Sequence, residues 1–261
     1  MPAPEHPPRS PARSAADRLL DILGAFSLDH PALSLTELSR RADLPVPTAH
    51  RLLATLTAWG ALERDQDGLY HVGLRLWEVA ALAPRGLGLR QAALPFLEDL
   101  YEATHENVQL AVRDGMEVVY TEWLSGHSAV GVRIQVGARW PLHATGVGLV
   151  LLAYADIALQ QHFCSRPLPA FTPYTVTDPA RLRRVLAEVR RTGCAVSERQ
   201  VTEDAVSVAA PVLGPRGDVV AAVSVVVPAA GARTPALAPA VRVAGRSISR
   251  ALGWQPPQPV R

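Results

Sequence analysis

Between Ser14 and Leu56 apolar residues recur every three or four positions in blocks separated by short polar breaks, a rhythm that predicts three helices. The first carries Ala16, Leu19, Leu20, Ile22, Leu23 and Phe26 on one stripe and ends near Ser27, where Asp29-His30-Pro31 is loop chemistry. The second opens on a capping box, in which Ser34 accepts from the amide of Glu37 and the Glu37 carboxylate reaches back to the Ser34 amide. It runs to about Ala42 with Leu38 inward. Asp43-Leu44-Pro45 then forces a turn, because the residue before a proline is pushed out of the α region and Pro45 has no amide to donate. Pro47 suits a first helical position, and Ala49, Leu52, Leu53 and Leu56 fall on one face of the third helix. The other face carries Thr48, Arg51 and Thr55, with His50 on its flank. An apolar back, a donor-rich front and a tight turn describe a helix-turn-helix whose last helix can enter a major groove. There Arg51 can fork onto guanine, Thr48 can meet a thymine methyl or a phosphate, and His50 can do either. Two packed helices of another small α domain satisfy the same spacing.

Beyond the third helix the period shortens to two. Trp59-Gly60 is a helix stop, and Leu62-Glu63-Arg64 and Leu69-Tyr70-His71-Val72 flank Asp65-Gln66-Asp67-Gly68 as a hairpin, the expected wing of a winged helix. Arg64 and Tyr70 are positioned to touch the DNA backbone or minor groove, or to be ordinary hairpin surface. Leu74, Trp77, Val79, Ala80 and Leu82 form a short apolar helix stopping before Pro84, suited to pairing with a second subunit or to packing on its own domain. A helix from about Leu89 to Thr104 follows. Val108 to Arg113 and Val118 to Glu122 are strands around Asp114-Gly115, with a third strand from about Val130 to Val136. Gly137 to Trp140 is loop and Gly146 to Ala155 a short apolar helix. Asp178-Pro179 caps a helix that Gly193 ends. Val206 to Val212 and Val219 to Val227 are strands, and a last helix runs from Pro235 to Leu252. Strands grouped with helices, without regular βαβ alternation, give an α+β domain on an antiparallel sheet. The expected layout is a tail over 1–12, a winged helix-turn-helix domain over 13–73, a linker or dimerisation helix over 74–84, an α+β domain over 85–254 and a tail over 255–261.

Composition changes this picture little. At 48% hydrophobic and 19% charged the chain is of ordinary globular type, with no apolar run near the roughly 20 residues of a membrane span. The first residues have arginines but no apolar core, unlike a secretory leader, so a cytoplasmic location is expected. Cys164 and Cys194 are the two cysteines and show no metal-ligand spacing, so neither a disulfide framework nor a metal or cofactor is expected. Every cation is arginine, and residues 1 to 80 hold eight against ten acidic residues, so bulk charge does not mark a nucleic-acid binder. Placement does: Arg9, Arg13 and Arg18 lead in, and Arg40, Arg41 and Arg51 sit in the motif. A homodimer would present two such strips to phosphates.

The order of these parts, with three phrases, resembles the IclR family of bacterial transcriptional regulators. LPVPTAHRLLATLTAWGAL is similar to its recognition region and Gly137 to Gly148, GARWPLHATGVG, to its signature loop. The segment from Gly193 through Ala209-Ala210-Pro211-Val212 to Ala221-Ala222-Val223-Ser224 is similar to its last two strands. The resemblance spans roughly residues 14 to 253. It implies a winged helix, a linker helix and a GAF-like effector domain, working as dimers or tetramers on palindromic double-stranded operators, as repressor or activator. DNA contacts are expected from Arg40, Arg41, Pro47, Thr48, His50, Arg51, Thr55, Arg64 and Tyr70. The family's pocket positions fall on Gly146, Val147, Ser197, Ala205, Ser207, Ser224 and Val226. Gly146 and Val147 would open a helix, where free amides and the dipole favour a carboxylate. Val226 stands in place of a second hydroxyl, Ser197 beside Glu198 in place of an acid, and Leu149 in place of a lysine. Fewer polar anchors imply an aromatic or larger apolar acid.

Two rivals are weighed. Catalysis would have to draw on Cys164, Cys194, scattered serines or His143, and no G-x-S-x-G elbow, H-E-x-x-H or phosphate loop is present, so no catalytic residue is assigned. A ligand sensor acting through protein partners, without sequence-specific DNA binding, is the alternative.

Overall fold

A computed structural model describes residues 13–27, 29–83, 87–125 and 136–256, in two compact units, 1–83 and 84–261. In the first, α1 (Ala15–Gly24), α2 (Leu35–Arg41) and α3 (Val46–Trp59) pack around Ile22, Leu38, Ala49, Leu53 and Leu56. Both α1 and α2 begin on capping boxes, Ser14 with Asp17 and Ser34 with Glu37, and α3 ends on Gly60 at φ 84°, a left-handed stop that suits glycine. Pro45 caps α3, so Pro47 sits at its second rather than first position. The wing is β2 (Leu62–Arg64) and β3 (Tyr70–Val72). A two-residue strand β1 (Ala32–Leu33), not foreseen from the pattern, pairs antiparallel on the other side of β3. The linker α4 (Leu74–Ala80) has no buried residue.

The second unit is built on one antiparallel sheet of order β6-β5-β4-β9-β8-β7. Its strands are β4 (Asn107–Asp114), β5 (Glu117–Leu124), β6 (Arg139–Pro141), β7 (Ala195–Glu198), β8 (Ala205–Leu213) and β9 (Val219–Pro228). Alternation along each strand sends Val108, Leu110, Val206, Val208, Val223 and Val225 to α5 (Leu87–Thr104) and α9 (Thr234–Ala251). Ala111, Ala205, Ala209, Ala222 and Val226 turn the other way, towards α6 (Gly146–Ala153) and α8 (Pro179–Thr192). Both faces are covered, so the central strands read as continuous apolar runs. All eight residues of α6 are buried. Arg139–Pro141, expected as loop, pairs with β5, and α7 (Ile157–Phe163) starts on an Asp156 cap that periodicity did not expose. Residues 1–12, most of the strand expected over 130–136, and 257–261 lie outside the described residues.

Candidate functional site

The turn of the helix-turn-helix is held from inside. The buried Ser39 hydroxyl donates to the Leu44 carbonyl at 2.6 Å while the Leu44 amide returns to Ser39 O at 2.9 Å. Asp43 between them takes φ 53°, the left-handed region. With Ala49, Leu52, Leu53 and Leu56 buried, the opposite face of α3 presents Pro47, His50, Arg51 and Thr55, with Thr48 half-buried beside them. Among the described residues no carboxylate lies within ion-pair distance of Arg40, Arg41 or Arg51, although Arg40 and Arg41 both attract the Glu37 carboxylate at longer range. Thr55 folds its hydroxyl back to the Arg51 carbonyl at 3.2 Å.

Two expected cations are engaged elsewhere. Arg13 is tied to Asp21 at 3.2 Å and to Asp43 at 2.5 Å, which clamps α1 to the turn. Arg64 donates to the Gly68 carbonyl at 3.2 Å and lies over the Tyr70 ring at 5.4 Å, bracing the hairpin while staying exposed. Tyr70, expected at the DNA, is only 5% exposed and belongs to the core, because the pairing of β3 with both β1 and β2 turns that ring inward. It is withdrawn as a contact residue.

In the second unit a cavity of about 40 Å³ lies between the sheet and the N-terminus of α6, lined by Gln109, Tyr120, Gly146, Ser197, Ser207 and Val226, with Thr145, Ala205 and the 200–202 loop. Thr145 caps α6 by accepting from the Gly148 amide at 3.0 Å, while the first amides of a helix have no acceptor within it. Gly146 lets the start of α6 come close to β8: a Cβ there would stand 2.6 Å from the Ser207 hydroxyl oxygen and 3.1 Å from the Ser207 Cβ. The Ser197 hydroxyl donates to the Ala144 carbonyl at 2.9 Å, leaving its lone pairs to the cavity.

Five of the seven expected pocket positions, Gly146, Ser197, Ala205, Ser207 and Val226, line this cavity; Val147 and Ser224 do not. Val147 turns into the core around α6, and Ser224 donates to Gln109 Oε1 at 3.3 Å. Gln109 and Tyr120 were missed. Burial pushes the Tyr120 phenol up, with a hydrogen bond to Thr145 as the smaller opposing effect, so it stays a neutral hydroxyl.

His143 is fully buried between Phe163 and Phe171, its Nε2–H donating to the Pro169 carbonyl at 2.9 Å. Burial lowers its pKa, keeping the ring neutral. The Cys194 thiol is pushed up by burial, the reverse of nucleophile activation.

The model described as "IclR helix-turn-helix domain" matches residues 15–66, and "Bacterial transcriptional regulator IclR C-terminal" matches residues 82–250. The chain is 35% identical to the HTH-type transcriptional regulator BhcR of Paracoccus denitrificans over 90% of its own length and 86% of that protein's. It is 31% identical to the HTH-type transcriptional repressor AllR of Escherichia coli, over 97% and 95%. A solved IclR homolog from Microbacterium hydrocarbonoxydans, complexed with 4-hydroxybenzoate, superposes with TM-score 0.87 at 38% identity, covering 92% of this chain and 99% of that one.

Proposed function

The chain belongs to the IclR family of bacterial transcriptional regulators, and from that premise we propose that its second unit binds an aromatic acid that controls operator binding by the first. The reading rests most on the cavity at the start of α6. Amides without helical acceptors and the positive end of the helix favour a carboxylate there, beside apolar walls from Ala205 and Val226. The 38% identical structure with 4-hydroxybenzoate supports the same ligand class. At about 40 Å³ the cavity has room for on the order of three waters, so an aromatic ring needs one wall to give. The 200–202 wall is loop and can shift without breaking a strand ladder.

On the DNA side, Arg51 with Thr48 and His50 reads bases in the major groove, and Arg40, Arg41 and Arg64 meet phosphates. Two subunits joined through the linker stripe span a palindrome. Double-stranded DNA is thus the partner of the first unit and a small acid that of the second.

The test is a duplex selected from a random pool, titrated with the full chain. Arg51→Ala should cost about 1–3 kcal/mol and relax preference at one base pair, with binding weakening steeply as salt rises. Hydroxylated benzoates should change the affinity of the wild-type chain for that duplex. A response confined to glyoxylate or pyruvate would overturn the aromatic reading, and binding indifferent to Arg51 and to salt would favour a sensor working through protein partners.

A further inference from the structure

Gln109 of β4 lines the cavity and is 2% exposed. Its Oε1 accepts from the Ser224 hydroxyl at 3.3 Å, across the β4–β9 ladder where the two residues are direct partners. Its Nε2 is buried with no hydrogen-bond partner, and the residue lines the cavity. A buried donor left unpaired is destabilising, and a core that needed only volume here would be more stable with leucine. With the Ser224 hydroxyl on the oxygen, the nitrogen is left as the unpaired end of a side chain that lines the cavity.

We infer that Gln109 is a specificity-determining residue of the effector pocket, its Nε2 donating to an oxygen of the effector other than the carboxylate held at the start of α6. The site therefore favours acids that carry a second oxygen over plain hydrocarbon acids. Ser224 acts through Gln109 as a positioning residue, although it does not line the cavity. The inference rests on the effector reading above and adds a selectivity that this reading does not contain.

Calorimetric titration of the full chain with benzoate, 3- and 4-hydroxybenzoate and 4-formylbenzoate tests it. The wild type should bind the three oxygenated acids about tenfold or more tighter than benzoate, the range that one buried hydrogen bond gives. Gln109→Leu should bring all four together. Ser224→Ala should weaken the preference without abolishing binding. The same order of affinities in wild type and Gln109→Leu overturns the inference while leaving the effector reading intact. Should the wild type bind no aromatic acid, that reading fails and the inference is read on pyruvate against propionate; no preference there, or none lost in Gln109→Leu, overturns it too. Melting without ligand is the second measurement: Gln109→Leu combined with Ser224→Ala, which removes both partners of the bond, should be at least as stable as wild type, and a less stable double variant would assign the amide to the core.

Discussion

Ser39 shows how one hydroxyl sets the angle between two helices. It is buried, and its bond to the Leu44 carbonyl satisfies an oxygen that the turn would otherwise strand away from water. Ser39→Ala should therefore destabilise the first unit by about 1–3 kcal/mol. Denaturant titration followed by circular dichroism checks this, with Leu44 amide exchange rising in parallel. A change within a few tenths of a kcal/mol would mean that the turn stands on Pro45 and the packing alone. This role was not legible in the sequence, where Ser39 is simply a polar residue within an arginine-rich helix. Gln109 was hidden for a related reason. Its partner Ser224 lies 115 positions away, and only the sheet order, which places β4 beside β9, brings the two together. The arginine face of α3 was legible because it follows from helical spacing alone.

The same contrast holds for whole elements. Helices with strong local signals, such as α2 behind its capping box and α8 between Asp178 and Gly193, sit where the pattern puts them. The elements that escaped, β1, β6, β7 and α7, have two to seven residues, too few for a period to emerge, and the three strands form by pairing with another strand, a distant one for β1 and β6. Capping also makes the first unit sensitive to acid. The hydroxyl and amide of Ser14 hold the Asp17 carboxyl below the usual carboxylate range, and the amide and hydroxyl of Ser34 do the same for Glu37. A group whose pKa is depressed by folding contributes stability above its unfolded value, and loses it as pH falls through the folded one. The first unit should thus keep full stability at neutral pH and weaken as pH drops through about 4 and below. The pair Asp17→Asn and Glu37→Gln should flatten the dependence of stability on pH in that window. An unchanged slope in the double variant would place the acid sensitivity elsewhere.

At the scale of the whole molecule, the decisive feature is a helix that the described residues of its own unit leave largely open. A seven-residue helix is below the length that holds itself in water, so α4 needs a surface to lie on. Leu76 packs against the core of the first unit and the Leu74 amide donates to Glu63 Oε1 at 2.9 Å, but that secures one side only. On the other side Leu74, Trp77 (58% exposed), Val79 and Leu82 (81%) remain open, with Trp59 of α3 and Val72 of β3 exposed in the same unit. Exposed apolar side chains of this kind, beside the proposed reading of a palindrome by two copies of α3, fit a two-fold contact between linkers. Sedimentation at micromolar concentration should show the wild-type chain as a dimer or larger. Trp77→Glu with Leu82→Glu should give a folded monomer, because a carboxylate on each partner at a self-complementary interface meets its own image across the axis. The monomer should keep its effector affinity, since the cavity is lined by residues of the second unit, and should lose most of its affinity for a palindromic duplex while keeping that for a half-site. A wild-type chain that sediments as a monomer, or a variant that stays associated, would move the dimer contact away from α4.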